Sequence, residues 1–334
     1  MGAALSWINL IYTQFFPPKA TLTGDNLPNQ KGKVFIVTGG NGVGIGFELA
    51  KLLYQAEGRV YIMTRNEEKS KTAIAEIENS RTSTPGTIKF IKLDLGDLRT
   101  VSSAVESFIA QEQRLDVLFN NAGMASAPFD LKTAQGLEPH FGVNCAGHFL
   151  PTKLLHPILE KTAKADPINA NKVRVIWTSS VLVEILAPKG GVTISELSNP
   201  SKNRDEHYSA SKAGNWFLAS EFHRRYGSTG VLHLTQNPGS LRTNTWRNTP
   251  WYKYYPYVPL LSQPIYGAYT NVWAAFSDEI TMSDGGRYII PWGRWHPGQR
   301  EDIVLGLKSK DEGGTGRAME FWDWCEAQVK PFTP

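Results

Sequence analysis

Tyr208 and Lys212 stand four residues apart in the run Tyr208-Ser-Ala-Ser-Lys212. On a helix that spacing brings both side chains to one face. An ammonium beside a phenol favours the phenolate and lowers the hydroxyl's pKa from about 10 toward the working range. Such a pair suits proton exchange with a carbonyl/alcohol couple. The spacing alone is common on solvated helix faces, so its weight comes from its company. Ser179 and Ser180 precede the pair, Asn120-Asn121-Ala122-Gly123 follows one apolar run, and a glycine-rich turn follows the first.

These groups need a scaffold, and strand and helix signals alternate from Lys31 onward. Val34-Phe35-Ile36-Val37 is a short β-branched run of the kind buried in parallel sheets. The glycine turn comes next, then a helical pattern through Phe47, Leu49, Ala50, Leu52 and Leu53. Val60-Tyr61-Ile62-Met63, Ile88 to Leu93, Val117-Leu118-Phe119, Val173 to Trp177, Leu232 to Thr235 and Arg287 to Ile290 read as further strands. Asp97 reads as an N-cap, and Val101, Ala104, Val105, Phe108 and Ile109 form one apolar face behind it. A long helix with Asn144 near its start runs to about Glu160. Repeated βα units call for right-handed crossovers, hence an α/β doubly wound parallel sheet (Rossmann fold) of about seven strands in a single domain.

Ligands of such sheets sit beyond the carboxyl ends of the strands. The turn Thr38-Gly39-Gly40-Asn41 through Gly44-Ile45-Gly46 lies at such an end. Its glycines let the backbone approach a pyrophosphate, and the following helix N-terminus supplies amide donors. An arginine at the end of the second strand accommodates a 2′-phosphate, where an acidic residue would bind a free ribose hydroxyl. Arg65 stands there, so NADP is the expected cofactor. The competing reading is that Arg65 caps carboxylates nearby, with Glu67 and Glu68 just beyond.

The chain has 334 residues and a net charge of +4, with both signs interspersed. No basic stripe points to nucleic acid. Cys145 and Cys325 have no metal-ligand spacing, and the seven histidines are scattered, so no metal site is read. So few cysteines argue against a disulfide scaffold and for an intracellular setting, cytoplasmic or peripherally membrane-associated.

Domain boundaries are read at 1–30 for an apolar tail, 31–300 for the catalytic domain, and 301–334 for a helical C-terminal extension. The tail stands apart from the fold. Residues 5–16 are apolar and aromatic but too short to span a bilayer. They can lie in a membrane interface or pack on the domain surface. Gly2 fits a loose myristoylation pattern.

The ordered set of motifs resembles the short-chain dehydrogenase/reductase family, over roughly Lys31 to Tyr288. The run Val143-Asn144-Cys145-Ala146-Gly147-His148-Phe149-Leu150 is similar to its retinol-dehydrogenase-like branch. Phe15-Phe16-Pro17-Pro18 and Tyr288-Ile289-Ile290-Pro291-Trp292-Gly293 are similar to fungal light-induced alcohol dehydrogenase-like members. The glycine turn departs from the family's Thr-Gly-x-x-x-Gly-x-Gly, because from Gly39 the later glycines come one residue late. A one-residue insertion near Asn41 to Val43 accounts for this and leaves open which of Asn41, Gly42 and Val43 meets the phosphates.

By the resemblance, Tyr208 gives or takes the proton, and Lys212 supports it and bonds the nicotinamide ribose. Ser180, rather than Ser179, orients the substrate oxygen, and Asn144 holds a relay water behind Lys212. Asp94 meets the adenine, Asn120 and Ala122 line the adenine ribose, Gly123 beside them is a cofactor-binding position, and Pro238, Gly239 and Thr243 contact the carboxamide. The resemblance implies an NADP-dependent oxidoreductase acting on a carbonyl or alcohol, with homo-oligomers common in the family. Residues 242–264 match the variable lid, and their aromatic density points to a bulky apolar or aromatic substrate. The segment 187–204 is an insertion expected to border the active-site mouth. Trp292, Trp295, Trp322 and Trp324 are expected to hold the C-terminal extension on the core. Two other functions compete: cofactor binding without redox turnover, and acid/base synthase or isomerase chemistry.

Overall fold

Val34–Thr38 (β1) is buried at every position, as a strand with helices on both faces must be. In the computed structural model the described residues are 10, 12–80, 84–125, 127–128, 130–166, 171–198, 203–243 and 251–333. Seven further strands follow: Arg59–Thr64 (β2), Thr87–Lys92 (β3), Val117–Asn120 (β4), Arg174–Thr178 (β5), Leu232–Gln236 (β6), Tyr288–Ile290 (β7) and Arg294–Trp295 (β8). They form one sheet in the order β3-β2-β1-β4-β5-β6-β7-β8. Neighbours from β3 to β7 pair parallel, and β8 runs antiparallel to β7. The two-residue β8 is the strand beyond the expected seven, and it is too short to carry a periodic signal. β3 is the edge, and its burial alternates accordingly.

The chain winds outward from β1 in both directions, since β1 pairs with β2 on one side and β4 on the other. That switch opens a crevice at the carboxyl ends of β1 and β4. One face of the sheet is covered by Ile45–Gln55 (α1), Glu67–Asn79 (α2) and, farther along, Pro264–Phe276, through the core that holds Phe35, Leu49, Leu53 and Val272. The other face carries Val101–Ile109 (α3), Gly147–Ala165 (α4) and Arg204–Tyr226 (α5), packed around Ile36, Phe108, Phe149 and Phe222. Two C-terminal helices, Glu301–Leu307 and Arg317–Val329, join this second core through Ile303, Phe321 and Trp322.

Aromatic packing assigns the tryptophans differently from expectation. Trp322 holds the extension down, 4.7 Å from Phe149 and 4.5 Å from Phe222 between ring centroids. Trp324 stacks on Phe321. Trp292 and Trp295 instead pack on Tyr266 and Trp273 of the helix Pro264–Phe276.

The tail is likewise not separate from the domain. Gln14 is 3 % exposed, a degree of burial no free tail shows. Its amide donates to Glu184 at 2.7 Å and accepts from Asn237 at 2.8 Å. Arg294 donates to the Thr13 carbonyl at 2.8 Å. Residues 1–9 and 11, with the Gly2 pattern, lie outside the described residues.

The described part of the 187–204 insertion is tied to the C-terminal helices. Arg300 donates to the Ala187 carbonyl, Arg317 to those of Lys189 and Val192, and Gly190 N–H donates to Asp302.

Candidate active site

The helix α5 begins where Asn203 caps it, accepting from Glu206 N–H at 3.3 Å, with Asp205 and Glu206 in the first turn. Those acids complement the positive end of the helix dipole. The helix then presents Tyr208 and Lys212 to the ends of β4 and β5. Lys212 is buried, and its Nζ donates to the Thr178 carbonyl at 3.0 Å. Nζ lies 5.8 Å from the Tyr208 ring centroid. Burial pulls the Lys212 ammonium down to about 8. Burial also raises the Tyr208 hydroxyl, and a hydrogen bond to Ser180 opposes it. The lowering expected from Lys212 is not seen: burial raises the phenol, and the Ser180 bond is what acts against it.

The two serines after β5 divide their duties. Ser179 is buried and donates to the Lys212 carbonyl at 2.8 Å, so it serves the scaffold. Ser180 is the one whose hydroxyl meets Tyr208. Tyr288 on β7 fixes the pair from behind, bonding Ser179 Oγ at 3.0 Å and the Ser180 carbonyl at 2.8 Å.

Asn144 sits in a π-helical turn, Phe141–Ala146, that leads into α4. Such turns often mark functional positions. Its amide bonds both backbone groups of Met124, at 2.8 and 3.0 Å, and Ser211 Oγ at 3.0 Å. Gly123 fills the space between: a Cβ there would come within 3.2 Å of Lys212 Nζ and 3.5 Å of Asn144 Oδ1. The Asn120–Gly123 loop thus passes directly over the Lys212 and Asn144 side chains.

Thr38 ties the glycine turn to that loop. Its Oγ1 accepts from Asn121 N–H at 2.9 Å and Ala122 N–H at 3.0 Å. It also lies 3.0 Å from His148 Nε2, and His148 Nδ1 is 3.1 Å from the Asn144 carbonyl. The carbonyl takes the proton on Nδ1, which leaves Nε2 a lone pair that shares the Thr38 hydroxyl hydrogen with the Phe119 carbonyl, 3.1 Å from Oγ1. Burial drives the His148 pKa down to about 3, so the ring is neutral. The Asn121 amide donates to the Thr38 carbonyl at 3.0 Å. Asn120 does not line the cleft with its side chain. It is 1 % exposed and turned inward to Thr152 Oγ1 at 2.9 Å.

The turn between β1 and α1 fits a pyrophosphate. Gly39 and Gly40 have φ of +83° and +95°. A Cβ on Gly40 would lie 3.0 Å from the Gly46 carbonyl oxygen, and one on Gly46 would lie 2.6 Å from Asn121 Nδ2. Gly44 caps α1 with no side-chain hydrogen bond, so the N-cap residue itself does not compete for the first amide donors. Asn41 and Ile45 are partly exposed beside Gly44.

Arg65 follows β2, is exposed and has no hydrogen bond or ion pair among the described residues. Glu67 and Glu68 pair with Lys71 instead. The Asn66 side chain caps α2. Asp94 accepts from Gly96 N–H at 2.9 Å in the turn after β3.

After β6, Asn237 links the tail to the Pro238–Gly239 turn, accepting from Gly239 N–H at 3.0 Å while donating to Gln14. A crevice lined by Gln14, Phe15, Gly239, Pro291 and Trp292 opens here. Thr243 leads into residues 244–250, which with Trp246 lie outside the described residues. The base of the expected lid is closed by a parallel bridge between Leu241 and Ser262. Beyond it Trp251, Tyr252 and Tyr255 are exposed.

Sequence reasoning passed over Asn121, His148, Tyr288, Gln14 and Asn237. Asn121, His148 and Tyr288 lay inside the quoted motifs. Gln14 and Asn237 act through contacts with no local signature. It also read no metal pattern, yet the fold gathers Glu138, His140 and His207, whose candidate ligand atoms lie within 4.8 Å of one another.

The sequence profile described as short chain dehydrogenase matches residues 33–251. The short-chain dehydrogenase/reductase iacJ of Pestalotiopsis fici is 40% identical over 331 residues, covering 98% of this chain and 99% of that protein. The short-chain dehydrogenase/reductase bet4 of Neocamarosporium betae is 39% identical, covering 97% and 94%. Among solved structures, an uncharacterised protein from Mycobacterium paratuberculosis superposes with a TM-score of 0.65 at 25% identity, over 92% of this chain and 97% of that one. The RhlG/NADP active-site complex of Pseudomonas aeruginosa gives 0.60 at 23% identity, over 78% and 94%. The profile spans more than half of the chain and the curated relatives align almost end to end. This chain therefore belongs to the short-chain dehydrogenase/reductase family, whose members are oxidoreductases that use nicotinamide cofactors.

Proposed function

We propose that this protein is an NADP-dependent alcohol dehydrogenase or carbonyl reductase for a bulky apolar substrate, with Tyr208 as general acid/base. The observation that carries the reading is the convergence of Tyr208, Ser180 and buried Lys212 beside the Gly123–Asn144 floor. Hydride transfer is the chemistry of the bound nicotinamide. In the reductive direction Tyr208 donates its proton to the substrate oxygen, and Ser180 holds that oxygen by a hydrogen bond. Lys212 steadies the phenolate that remains, and Asn144 keeps the loop at Met124 in place behind it. In oxidation the proton returns to Tyr208 by the same contacts.

Arg65 supports NADP over NAD, because its guanidinium is exposed at the end of β2 and Lys71 satisfies the nearby glutamates. The glycine turn, Asp94, Ala122 and Gly123 would hold the adenosine and pyrophosphate, and Pro238, Gly239 and Thr243 the nicotinamide end. Exposed Trp251, Tyr252 and Tyr255 support an apolar or aromatic substrate. With exposed Tyr12 and Phe16 they also support peripheral contact with a membrane interface. No helix among the described residues is long and apolar enough to cross a bilayer. The test is oxidation of NADPH and NADH against carbonyl compounds of graded bulk. The reading expects faster turnover with NADPH and a preference for large apolar carbonyls. A preference for NADH or for small polar carbonyls contradicts it.

A further inference from the structure

His140 adjoins Tyr208 and Glu138 adjoins His140, yet the chemistry above gives them no part. His140 is 1 % exposed. Its Nδ1 lies 2.6 Å from Glu138 Oε1, and its Nε2 lies 3.0 Å from the Ala125 carbonyl oxygen. A carboxylate and a carbonyl can only accept. With Glu138 ionised, both bonds exist together only if both ring nitrogens carry hydrogen, which makes the ring an imidazolium.

Glu138 is suited to the ionised role. Burial alone would raise its carboxyl, but the His140 bond, with the Phe141 amide, holds it below the usual range. With both nitrogens committed, His140 offers no lone pair to a metal. The cluster with His207, whose Nδ1 is 3.6 Å from Glu138 Oε1, is then an ion pair. The His140 ring centroid lies 6.1 Å from that of Tyr208, with the planes at 73°.

We propose that His140, held as a cation by Glu138, is a positioning residue that stabilises the Tyr208 phenolate. The proposal rests on Tyr208 being the acid/base of the reading above. It answers an electrostatic need of the site. Burial raises the Tyr208 hydroxyl, and burial of Lys212 weakens that lysine as a counter-charge. The groups facing Tyr208 are Ser180, Lys212, His140 and, from β7, Tyr288. Those facing His140 are Glu138, His207 and Tyr208. Opposite charges about 4–6 Å apart move a titrating group by about one pH unit or more, and the His140 and Tyr208 ring centroids are 6.1 Å apart.

The test reads the Tyr208 phenolate by ultraviolet difference absorbance, parent minus Tyr208→Phe, with oxidised nicotinamide cofactor bound. In His140→Gln the phenolate step should move up by about one pH unit. Glu138→Gln, which removes the acceptor that holds the second ring proton, should move it the same way. A step that stays at the parent's pH in a folded variant overturns the proposal. Nitrogen NMR of the parent needs no variant: both His140 ring nitrogens should be protonated at neutral pH, and a single protonated nitrogen also overturns it. Turnover enters neither readout. A Tyr208 that proves dispensable for catalysis would therefore count against the proposed function and leave this result standing on its own.

Discussion

Burial acts in opposite directions on the two groups that define the site. It raises the Tyr208 hydroxyl and lowers the Lys212 ammonium to about 8, so both are biased toward their neutral forms. A cationic nicotinamide alongside would favour the phenolate, which couples the proton state of Tyr208 to the redox state of the cofactor. Arg65 lies at the opposite end of the nucleotide cradle. Charge-assisted bonds from a guanidinium to a phosphate are of the stronger kind. Arg65→Ala should weaken NADPH binding by about ten- to a hundred-fold while leaving NADH nearly unchanged. Titration of both cofactors against parent and variant measures the double difference. An equal loss for both would give Arg65 a structural role. Asn66, an alternative phosphate contact by position, is less available because its side chain caps α2.

At the scale of elements, the tail is the part whose role the fold changes most. Gln14 reaches Asn237, which in turn fixes the Gly239 amide, so residues 12–16 brace the turn proposed to hold the nicotinamide. Gln14→Ala leaves the buried Asn237 amide and the Glu184 carboxylate each short of a partner. Unmade buried bonds of this kind cost about 1–3 kcal/mol each. Deleting residues 1–16 should therefore raise the cofactor Kd several-fold or more and lower thermal stability, both readable by titration and calorimetry. Unchanged affinity after deletion would return the tail to a purely surface role. Such contacts were not legible in the sequence because they join residues 170 or more positions apart and rest on single amides. The elements that were legible carry local signals: Val34–Thr38 is a β-branched run, α3 shows an apolar face, and Tyr208 and Lys212 share a helix. The eighth strand is two residues long, and the 187–204 insertion is placed by Arg300 and Arg317 far along the chain. Neither has a periodicity to read.

For the whole molecule, buried neutral histidines make folding sensitive to acid. The His148 pKa is pushed down to about 3 from its ordinary 6.5, and His233 is also pushed down, in both cases chiefly by burial. Between those values the unfolded chain binds the extra proton, so stability is full above about pH 6.5 and falls as pH drops toward 3. The His148 ring should remove about 2 kcal/mol between pH 6.5 and 5, seen as a falling denaturant midpoint. A folded His148→Asn variant should show a shallower fall, and an unchanged slope would place the sensitivity elsewhere. The central claim is that the fold assembles one acid/base site for hydride transfer around Tyr208, and Tyr208→Phe tests it most directly. The substitution removes one hydroxyl and keeps the ring, so NADPH affinity and melting temperature should stay close to those of the parent. With a carbonyl substrate that the parent reduces, kcat should fall by about 10²-fold or more. A folded, NADPH-binding Tyr208→Phe variant with near-parental kcat would contradict the account.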